Sequence, residues 1–234
     1  MKLVRREFGV DYENYQFGYS LWAFLEPDDA LAEVYNQGFL PYSGQPPSPL
    51  TLYMARSVRI VLNDWKPNSE NRRILRKADW DFTRESVTTA NFDLQDESFL
   101  RFCNGYFLDR HQKDIQDSGK LSAVLESGFV SEVVTYRTVE GQVLGYVLLA
   151  GDQCMSHFWF SFYDSSLASQ SLGMWLMIQE ARQAQEQGKD FLYLGTCYGP
   201  SSVYKTNFDG IEWWSGSDWS TDKKRLKSLA RAEA

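Results

Sequence analysis

The second half of this chain carries the pattern that most restricts how it can fold. Short apolar segments alternate there with turn signals, and one longer segment has helical periodicity. Glu140-Gly141 separates two of the apolar segments closely enough to predict a β-hairpin. The predicted order is strand, strand, strand, helix and strand, over residues 130–139, 142–150, 155–163, 171–187 and 191–196. This order predicts a mixed α+β or α/β sheet with flanking helices, an arrangement that several folds share.

The third predicted strand contains phenylalanine at every second position, at Phe158, Phe160 and Phe162. Side chains alternate between the two faces of a strand. We therefore expect these three rings to lie on one face of the sheet.

The first half of the chain has weaker patterns. Residues 1–49 are irregular and aromatic, apart from a helix predicted from Glu26 to Asn36, before Gly38. The other predicted elements are a strand, a short basic helix and two further helices, over residues 52–62, 70–77, 99–117 and 121–128. We expect a smaller N-terminal α/β region, a main domain and a basic tail, over residues 1–80, 81–222 and 223–234, and we expect the tail to form a solvated or frayed helix.

Charge and cysteine usage exclude several classes of protein. The net charge of −7 excludes a uniformly basic nucleic-acid coat but not a local basic patch. Cys103, Cys154 and Cys197 are widely separated, which is typical neither of a disulfide framework nor of a zinc site. No apolar segment follows the charged N-terminus, and the longest apolar stretch, 143–150, is far shorter than the about 20 residues that span a membrane. We therefore expect a cytoplasmic protein without a secretion signal or membrane segment.

A series of short motifs runs along the chain in a defined order. They are GYSLWA at 18–23, QGF at 37–39, YMARSVR at 53–59, PNSENRRILRK at 67–77, FYD at 162–164, SLG at 171–173, LYLG at 192–195 and YKTNF at 204–208. In their order and spacing these motifs resemble those of the arginyl- and leucyl-tRNA–protein transferases over nearly the full chain. The resemblance implies an acetyltransferase-like (GNAT-type) fold for the second half, which agrees with the predicted strand order.

The same resemblance implies a reaction and its partners. In this family an amino acid moves from the 3′ end of an aminoacyl-tRNA to the N-terminal amine of an acceptor protein, which usually begins with an acidic residue. The product is marked for degradation. The attacking α-amine has an ordinary pKa of about 7.7–8.0, so a strong base is not needed. Catalysis then depends on positioning and on oxyanion stabilisation, and we expect no cofactor.

The chain departs from the family in its cysteines. Family members carry cysteines near the start of the first motif and just before the YMARSVR motif, and these are linked to a metal or an iron–sulfur cluster. Here the first positions hold Phe17 and Ser20, and the second positions fall within Pro49-Leu50-Thr51. None of these residues supplies a thiolate. We therefore expect no metal, and the departure puts acceptor choice and activity in question.

The candidate site residues lie mainly in the motifs. The candidates for catalysis or for lining an acyl pocket are Tyr163, Asp164 and Tyr204, with a simple turn role as the alternative for Asp164. The candidates for substrate binding are Arg56, Arg59, Ser171, Gly173, Gly195 and Lys205. Arg56 and Arg59 fall in a predicted strand with apolar neighbours, so we expect each to serve a carboxylate or a phosphate. Lys205 could neutralise a phosphate or an acidic acceptor residue, or be an ordinary surface lysine.

The residues without a placed partner, which we interpret as structural, are His111, His157 and Cys197.

The helix predicted over 70–77 is basic within an acidic chain. Arg72 and Arg76 are one turn apart on one face. Arginines in such an arrangement can contact the phosphates of tRNA, and an ordinary solvated face is the alternative. The candidate tRNA-binding residues are Arg72, Arg73, Arg76 and Lys77.

Two other functions remain open. Coenzyme A-dependent acyltransferases bind pyrophosphate with backbone amides at a helix start, and residues 170–175, QSLGMW, are placed accordingly. Trp175 stands where a small residue is wanted, which disfavours coenzyme A. A non-catalytic protein that binds N-terminal residues is the other alternative.

Overall fold

The computed structural model describes residues 1–11, 16–44, 48–77, 81–110 and 118–233. The strands are β1 (Lys2–Asp11), β2 (Gln16–Phe24), β3 (Phe39–Pro41), β4 (Thr51–Met54), β5 (Ser57–Val61), β6 (Phe82–Thr88), β7 (Val130–Thr138), β8 (Val143–Gly151), β9 (Met155–Tyr163), β10 (Phe191–Thr196), β11 (Ile211–Trp214) and β12 (Trp219–Ser220). The helices are α1 (Leu31–Asn36), α2 (Ser69–Lys77), α3 (Glu97–Arg110), α4 (Ser118–Glu126), α5 (Leu172–Glu186) and α6 (Lys223–Ala232), with 3-10 segments at Ser165–Gln170 and Pro200–Asn207.

Eight strands form a large mixed sheet in the order β12-β11-β5-β10-β9-β8-β7-β6. Neighbouring strands in it are antiparallel except β9 and β10, which are parallel. Helix α5 connects these two strands, because parallel neighbours need a crossover rather than a tight turn. The predicted mixed α+β sheet with flanking helices is confirmed, and so is the hairpin of β7 and β8, with Gly141 at a φ of +89° in its turn.

Helices cover both faces of the large sheet. On β8, Val147 and Leu149 pack in the core cluster that contains Trp175 of α5. Leu148, between them, packs in the cluster that contains Phe99 of α3. Because alternate residues of a strand point to opposite faces, α5 covers one face and α3 with α4 covers the other.

A second sheet of four strands, in the order β1-β2-β4-β3, forms in the N-terminal part of the chain. Its first two strands are a long antiparallel hairpin, so the prediction that this region is irregular is wrong. The β1 sequence, KLVRREFGVD, is charged at half its positions. As an edge strand, β1 has only β2 beside it, and its apolar periodicity is correspondingly weak.

The strand predicted over 52–62 is two strands that belong to different sheets. β4 and β5 are separated by Ala55 and Arg56. The Ala55 N–H donates to the Gly38 carbonyl at 3.1 Å, and the Arg56 carbonyl accepts from the Cys197 N–H at 2.9 Å. The chain therefore crosses from the small sheet to the large one at this point. β5 precedes residue 80 in the chain but lies between β10 and β11, which follow it, so the large sheet contains strands from both predicted regions. The division of the chain into domains at residue 80 stays a prediction.

Helix α1 begins at Leu31, later than the predicted start at Glu26. The carboxylates of Glu26 and Asp29 bind the N-terminal ammonium of Met1 instead, at 2.7 and 2.6 Å. Asp29 also accepts a hydrogen bond of 2.8 Å from the Glu26 N–H. The acidic residues expected in the first helical turn therefore stabilise the turn that precedes the helix.

The other predicted elements are present with small changes at their ends, and β3, β6, β11 and β12 are strands that the sequence patterns did not predict. The described part of α3 ends at Arg110. The rest of that predicted helix, to Asp117, lies outside the described residues.

The basic C-terminal segment is a helix, as predicted, but it is packed against the protein, so the prediction that it is solvated or frayed is wrong. Asp222 caps α6 by accepting the Arg225 N–H at 3.0 Å. Leu226 and Ala230 on the inner face of α6 are fully buried. This apolar stripe fixes the helix against the rest of the protein.

Candidate active site

Strands β9 and β10 form an opening in the large sheet. They pair only where Met155, Ser156 and His157 lie opposite residues 191–193. Beyond these pairs the described residues of the two strands do not pair with each other, and the register of β10 against β5 shifts before Gly195. Gly195 has a φ of +83°, a conformation that favours glycine. The two strands therefore diverge and leave a cleft between their carboxyl ends.

A β-bulge at Trp159 changes which side chains of β9 face the cleft. Phe158 lies opposite Leu149 and Phe160 lies opposite Leu148, so Trp159 is the extra residue. Phe158 packs on the α5 face of the sheet, whereas Phe160 and Phe162 pack on the α3 face. The prediction that the three phenylalanines share one face is therefore wrong.

The cleft has two adjoining parts. The outer pocket, of about 510 Å³, is lined by Tyr163, Ser171, Gly173 and Tyr204 among other residues. The inner pocket, of about 210 Å³, is lined by Lys205 and by side chains of α3 and α4. The residues that line both pockets are Tyr106, Phe158, Ser161, Met177 and Tyr204. The structure thus brings together five of the predicted site residues, which are Tyr163, Ser171, Gly173, Tyr204 and Lys205.

The N-terminus of α5 forms one wall of the outer pocket. Ser171, its N-cap residue, has a φ of +66° and makes no side-chain capping hydrogen bond. A Cβ on Gly173 would lie only 2.9 Å from the Tyr163 ring, so glycine permits the close contact of helix and tyrosine. Backbone N–H groups at a helix start lack intrahelical acceptors and attract negative charge. This wall can therefore bind a phosphate or a developing oxyanion.

Lys205 reaches the inner pocket beside the end of β10. Its Nζ donates a 2.7 Å hydrogen bond to the Thr196 carbonyl and lies 3.4 Å from the position of a Cβ on Gly195. Lys205 forms no ion pair with any carboxylate in the described parts of the chain. Burial lowers its pKa to about 8. Gly195 therefore lies beside Lys205 but does not itself line either pocket.

His157 is buried close to Lys205. Its Nδ1 is 3.1 Å from the Tyr35 hydroxyl, while its buried Nε2 has no hydrogen-bond partner among the described residues. Burial, followed by the charge of Lys205, lowers the His157 pKa to about 3, so the ring is neutral at neutral pH. This agrees with a structural role. His111 lies outside the described residues.

Asp164 has the role of a turn residue. Its carboxylate accepts hydrogen bonds from the N–H and the hydroxyl of Ser166, at 2.9 and 2.6 Å. Its own N–H donates to the Leu144 carbonyl. Asp164 is not among the residues that line either pocket. The turn role, which is the alternative from the sequence analysis, therefore fits the geometry better than a catalytic role.

Arg59 serves a carboxylate of the chain itself and lies away from the cleft. Its guanidinium donates to Glu212 at 2.8 and 2.9 Å and to Asn36 at 2.8 Å. It also lies between the rings of Phe191 and Trp219, at 3.8 and 3.7 Å from their centroids. These contacts account for the buried arginine, and substrate binding by it is not needed to explain its position.

Arg56 is likewise engaged within the chain. The sequence pattern predicts Arg56 within a strand, but it lies between β4 and β5. Its guanidinium pairs with Glu233 at 2.9 Å and lies over the Tyr198 ring at 4.8 Å. Neither Arg56 nor Arg59 lines the pockets.

The four basic residues proposed for tRNA are exposed along α2, whereas Asn71 and Ile74 are buried beneath them. Arg73 forms an ion pair with Glu70 at 2.7 Å. The side-chain amides of Asn68 and Asn71 donate to the Asn207 carbonyl, at 2.8 and 3.4 Å. The start of α2 is therefore attached to the segment that carries Tyr204 and Lys205.

Trp175 does not obstruct the cleft. It is 1% exposed and packs in the core against Phe82 and Tyr136, with ring centroids 4.6 and 5.5 Å away. The expectation that this residue disfavours coenzyme A is therefore not supported, because its side chain points away from the outer pocket.

The described residues contain neither a cluster of metal-ligating side chains nor a membrane-spanning helix. No group of three or more His, Cys, Asp or Glu side chains comes together there in a way that could hold a metal ion. No helix within the same residues is long and apolar enough to cross a membrane.

Lys120 and Ser161 line the cleft but were not predicted from the sequence. Lys120 lies outside every recognised motif. Ser161 faces the cleft only because of the bulge at Trp159, which the sequence alternation does not reveal.

A large mixed sheet, opened between two parallel strands and bordered there by a helix N-terminus, defines a mixed α+β domain with flanking helices. Residues 97–215 match the family model described as "Arginine-tRNA-protein transferase, C terminus". The chain belongs to this family.

Curated relatives of the chain are named "Aspartate/glutamate leucyltransferase", and two of them illustrate the similarity. The one from Ruegeria pomeroyi is 27% identical over 167 residues, which cover 70% of this chain and 60% of the relative. The one from Dinoroseobacter shibae is 27% identical over 182 residues, which cover 70% of this chain and 61% of the relative. The chain thus spans about 60% of the length of these relatives.

Solved structures with a similar arrangement are more distant. L-PGS from Bacillus licheniformis has a TM-score of 0.49 and 10% identity, with 76% of this chain and 65% of that chain covered. The C-terminal domain of a putative lysylphosphatidylglycerol synthetase from Agrobacterium fabrum has a TM-score of 0.47 and 16% identity, with 66% and 50% covered.

Proposed function

We propose that this protein transfers an amino acid from aminoacyl-tRNA to the N-terminal amine of an acceptor protein that begins with an acidic residue. The observation that carries the proposal is the two-part cleft, with a helix N-terminus on one side and the lysine Lys205 on the other. Membership of the family and the names of the relatives support this reaction. A cytoplasmic location, where charged tRNA occurs, and a role in marking proteins for degradation belong to the same proposal.

The outer pocket is the proposed site of the donor. The 3′ end of a charged tRNA carries a phosphate and an ester carbonyl, and both suit the N–H groups at the start of α5. Tyr163 and Tyr204 line this pocket with aromatic rings, on which a terminal adenine base can stack. Ser171 and Gly173 shape the helix start that the donor would contact.

The reaction is an aminolysis of the ester. The neutral α-amine of the acceptor attacks the ester carbonyl carbon and forms a C–N bond, which gives a tetrahedral intermediate with negative charge on oxygen. The C–O bond to the ribose then breaks, and the departing ribose oxygen takes up the proton that the nitrogen loses. No oxidant, reductant or further reactant is needed.

Lys205 is the proposed cation that stabilises the oxyanion. Its ammonium has three N–H donors, and one of them is used by Thr196. Tyr204 lines both pockets, so we propose that its hydroxyl donates a proton to the departing oxygen where the amine and the ester meet. The exposed basic face of α2, attached to the same segment through Asn207, is the proposed contact for tRNA phosphates.

Coenzyme A-dependent N-acyl transfer is the second candidate. One observation favours it: Trp175 is buried in the core, so the helix start is open to a pyrophosphate.

A transfer assay separates the two candidates. The full chain is incubated with tRNA charged with labelled leucine or arginine, and with peptides that start with Asp, Glu, Lys or Ala. Label on the Asp and Glu peptides supports the proposal and also identifies the amino acid. Label on no peptide, with the charged tRNA intact and with acyl transfer from acetyl-coenzyme A in a parallel reaction, would favour the second candidate.

A further inference from the structure

The C-terminal helix α6 presents a row of cations to solvent. Lys224, Lys227 and Arg231 follow one another at three- and four-residue spacing, so they share one face of the helix. Lys224 and Arg231 are exposed and Lys227 is partly exposed, whereas Leu226 and Ala230 on the inner face are buried. The row is about 10 Å long, because each residue adds about 1.5 Å along a helix.

This positive charge is not neutralised within the described parts of the chain. None of the three side chains in the row forms an ion pair with a carboxylate there. The helix contains five lysines and arginines and no acidic residue. The acidic residues that flank it act elsewhere, since Asp222 caps the helix and Glu233 pairs with Arg56. In a chain with a net charge of −7, such a local basic surface attracts polyanions.

The stability of α6 does not account for this pattern. Lys223, Lys224 and Arg225 occupy the first turn, where no residue is acidic and where the helix dipole disfavours cations. Among the described residues, only Lys223 of these three pairs with a carboxylate, that of Asp209 at 3.4 Å. Lys224 and Lys227 are like charges about one turn apart, which repel each other. A bound anion would offset both unfavourable effects.

Both ends of α6 are attached to the segment that carries Tyr204 and Lys205. At the start of the helix, the Lys223 ammonium donates a hydrogen bond to the Phe208 carbonyl. Just after its end, the Glu233 carboxylate accepts a hydrogen bond of 3.2 Å from the Gly199 N–H. The basic helix α2 is attached to the same segment at residue 207. Two basic helices therefore begin beside neighbouring residues of the segment that lines the cleft.

We infer that the outer face of α6 contacts the phosphate backbone of the donor tRNA, as a second surface in addition to α2. The inference rests on the proposed function and adds a part of the protein that holds the donor. A nucleic-acid backbone presents closely spaced negative charges to a row of cations, and such contacts position the nucleic acid without reading its sequence. The helix would hold the tRNA while its 3′ end lies in the outer pocket.

The first experiment measures equilibrium binding of uncharged tRNA to the full chain at several salt concentrations. The wild-type protein is compared with Lys224→Glu and Lys227→Glu. Arg101→Glu is the matched control, because it makes the same charge change at an 80% exposed position on α3. That helix lies on the opposite face of the large sheet from α6, whose Leu226 packs in the same core cluster as Trp175 of α5. Urea unfolding measures the stability of each variant.

Each α6 variant should bind tRNA about five- to tenfold more weakly at about 0.1 M salt, and the slope of log K against log salt should decrease by roughly one. Arg101→Glu should stay within about twofold of the wild type. Lys224→Glu should be at least as stable as the wild type, because an acidic residue in the first turn complements the helix dipole. Its weaker binding therefore cannot result from unfolding.

The second experiment is a transfer assay that separates the two substrates. In the α6 variants KM for charged tRNA should rise, while KM for the Asp-starting peptide should stay at the wild-type value. A parallel flotation assay uses vesicles of phosphatidylcholine with phosphatidylserine, which offer negative charge without RNA. Unchanged tRNA affinity in both variants would overturn the inference. If KM rose for the peptide instead, or if only vesicle binding were lost, α6 would bind the acceptor protein or a membrane surface, and the inference would be wrong.

These outcomes leave the proposed function intact. If the wild-type protein transfers no amino acid to any peptide, the proposed function fails. Binding of uncharged tRNA then decides the inference separately, because it does not depend on transfer. Weaker binding in Lys224→Glu and Lys227→Glu but not in Arg101→Glu supports the inference, and equal binding by all three variants contradicts it.

Discussion

Lys205 donates a 2.7 Å hydrogen bond to the carbonyl of Thr196, the last residue of β10. This bond places an ammonium group at the point where β10 has separated from β9. Gly195, directly before Thr196, lies beside this ammonium, because a Cβ there would be 3.4 Å from Nζ. The opening of the sheet and the cation inside it are thus produced by the same few residues.

Loss of the Lys205 ammonium should impair transfer strongly. Lys205→Met keeps most of the side-chain length but removes every N–H donor. We expect kcat for transfer to the Asp peptide to fall by about 100- to 1000-fold, the usual effect of losing one oxyanion donor. Single-turnover kinetics with charged tRNA measures this. A loss below threefold would show that Lys205 does not contact the reacting atoms.

The same substitution should change how stability depends on pH. Burial lowers the folded-state pKa of Lys205 from 10.5 to about 8, so between these two values the unfolded state binds more protons. Folded-state stability therefore rises with pH across this window, and the cost of burying the ammonium is largest below pH 8. Lys205→Met should be more stable than the wild type at pH 7, and this advantage should shrink between pH 8 and 10. Urea unfolding at several pH values measures this difference in stability between the variant and the wild type. A difference that does not change with pH would contradict the lowered pKa of Lys205.

A side chain at residue 195 should affect both folding and transfer. Gly195 has a φ of +83°, and a Cβ there would lie 3.4 Å from Lys205 Nζ. Gly195→Ala should therefore cost about 1–2 kcal/mol in the free energy of unfolding and lower transfer at least about tenfold by displacing the lysine.

Gly141→Ala is the matched control for that substitution. Gly141 also has a positive φ, of +89°, but nothing lies within 4 Å of its Cβ position. It should show a similar loss of stability, measured by urea unfolding, with transfer unchanged. Equal transfer by the two folded variants would show that Gly195 does not position Lys205.

The basic face of α2 should determine tRNA affinity. Arg72→Ala with Arg76→Ala removes two exposed guanidinium groups from one face. If both contact phosphates, affinity for tRNA falls and the slope of log K against log salt decreases by roughly one for each lost contact. Arg182→Ala, at an exposed position on α5, is the control and should leave the slope unchanged. A double variant with wild-type affinity would exclude α2 from the tRNA surface.

Arg59 should matter for stability rather than for substrate. Its guanidinium is 6% exposed and pairs with Glu212, so Arg59→Ala leaves that carboxylate without its cation. We expect a loss of about 2–3 kcal/mol in the free energy of unfolding. At a temperature where the variant is folded, KM for the Asp peptide should match the wild type. A raised KM with normal stability would restore the substrate-binding role that the sequence predicted.

The sequence predicts the elements whose apolar pattern is local. β7 to β10 and α5 follow from alternation, helical periodicity and the glycine after the helix. The hairpin of β1 and β2 was not predicted, because charged residues occupy much of an edge strand. The break at Ala55 and Arg56 was missed, because an apolar run does not reveal a change of sheet.

The candidate site was predictable only in part, for a similar reason. Tyr204, Lys205 and Gly173 lie in motifs that the sequence displays. The partner of Arg59 lies 153 positions away in the chain, and Lys120 reaches the cleft only through the packing of α4. Contacts between residues so distant in sequence depend on the tertiary fold and leave no periodic signal.

The most direct test of the account is the mass of an Asp-starting peptide after incubation with charged tRNA and the purified full chain. If the cleft performs aminoacyl transfer, the peptide gains one amino acid residue at its N-terminus, and a peptide with an acetylated N-terminus gains none. With Lys205→Met the Asp peptide should gain the residue far more slowly. An unchanged mass with intact charged tRNA and folded protein would contradict the claim that this cleft performs aminoacyl transfer.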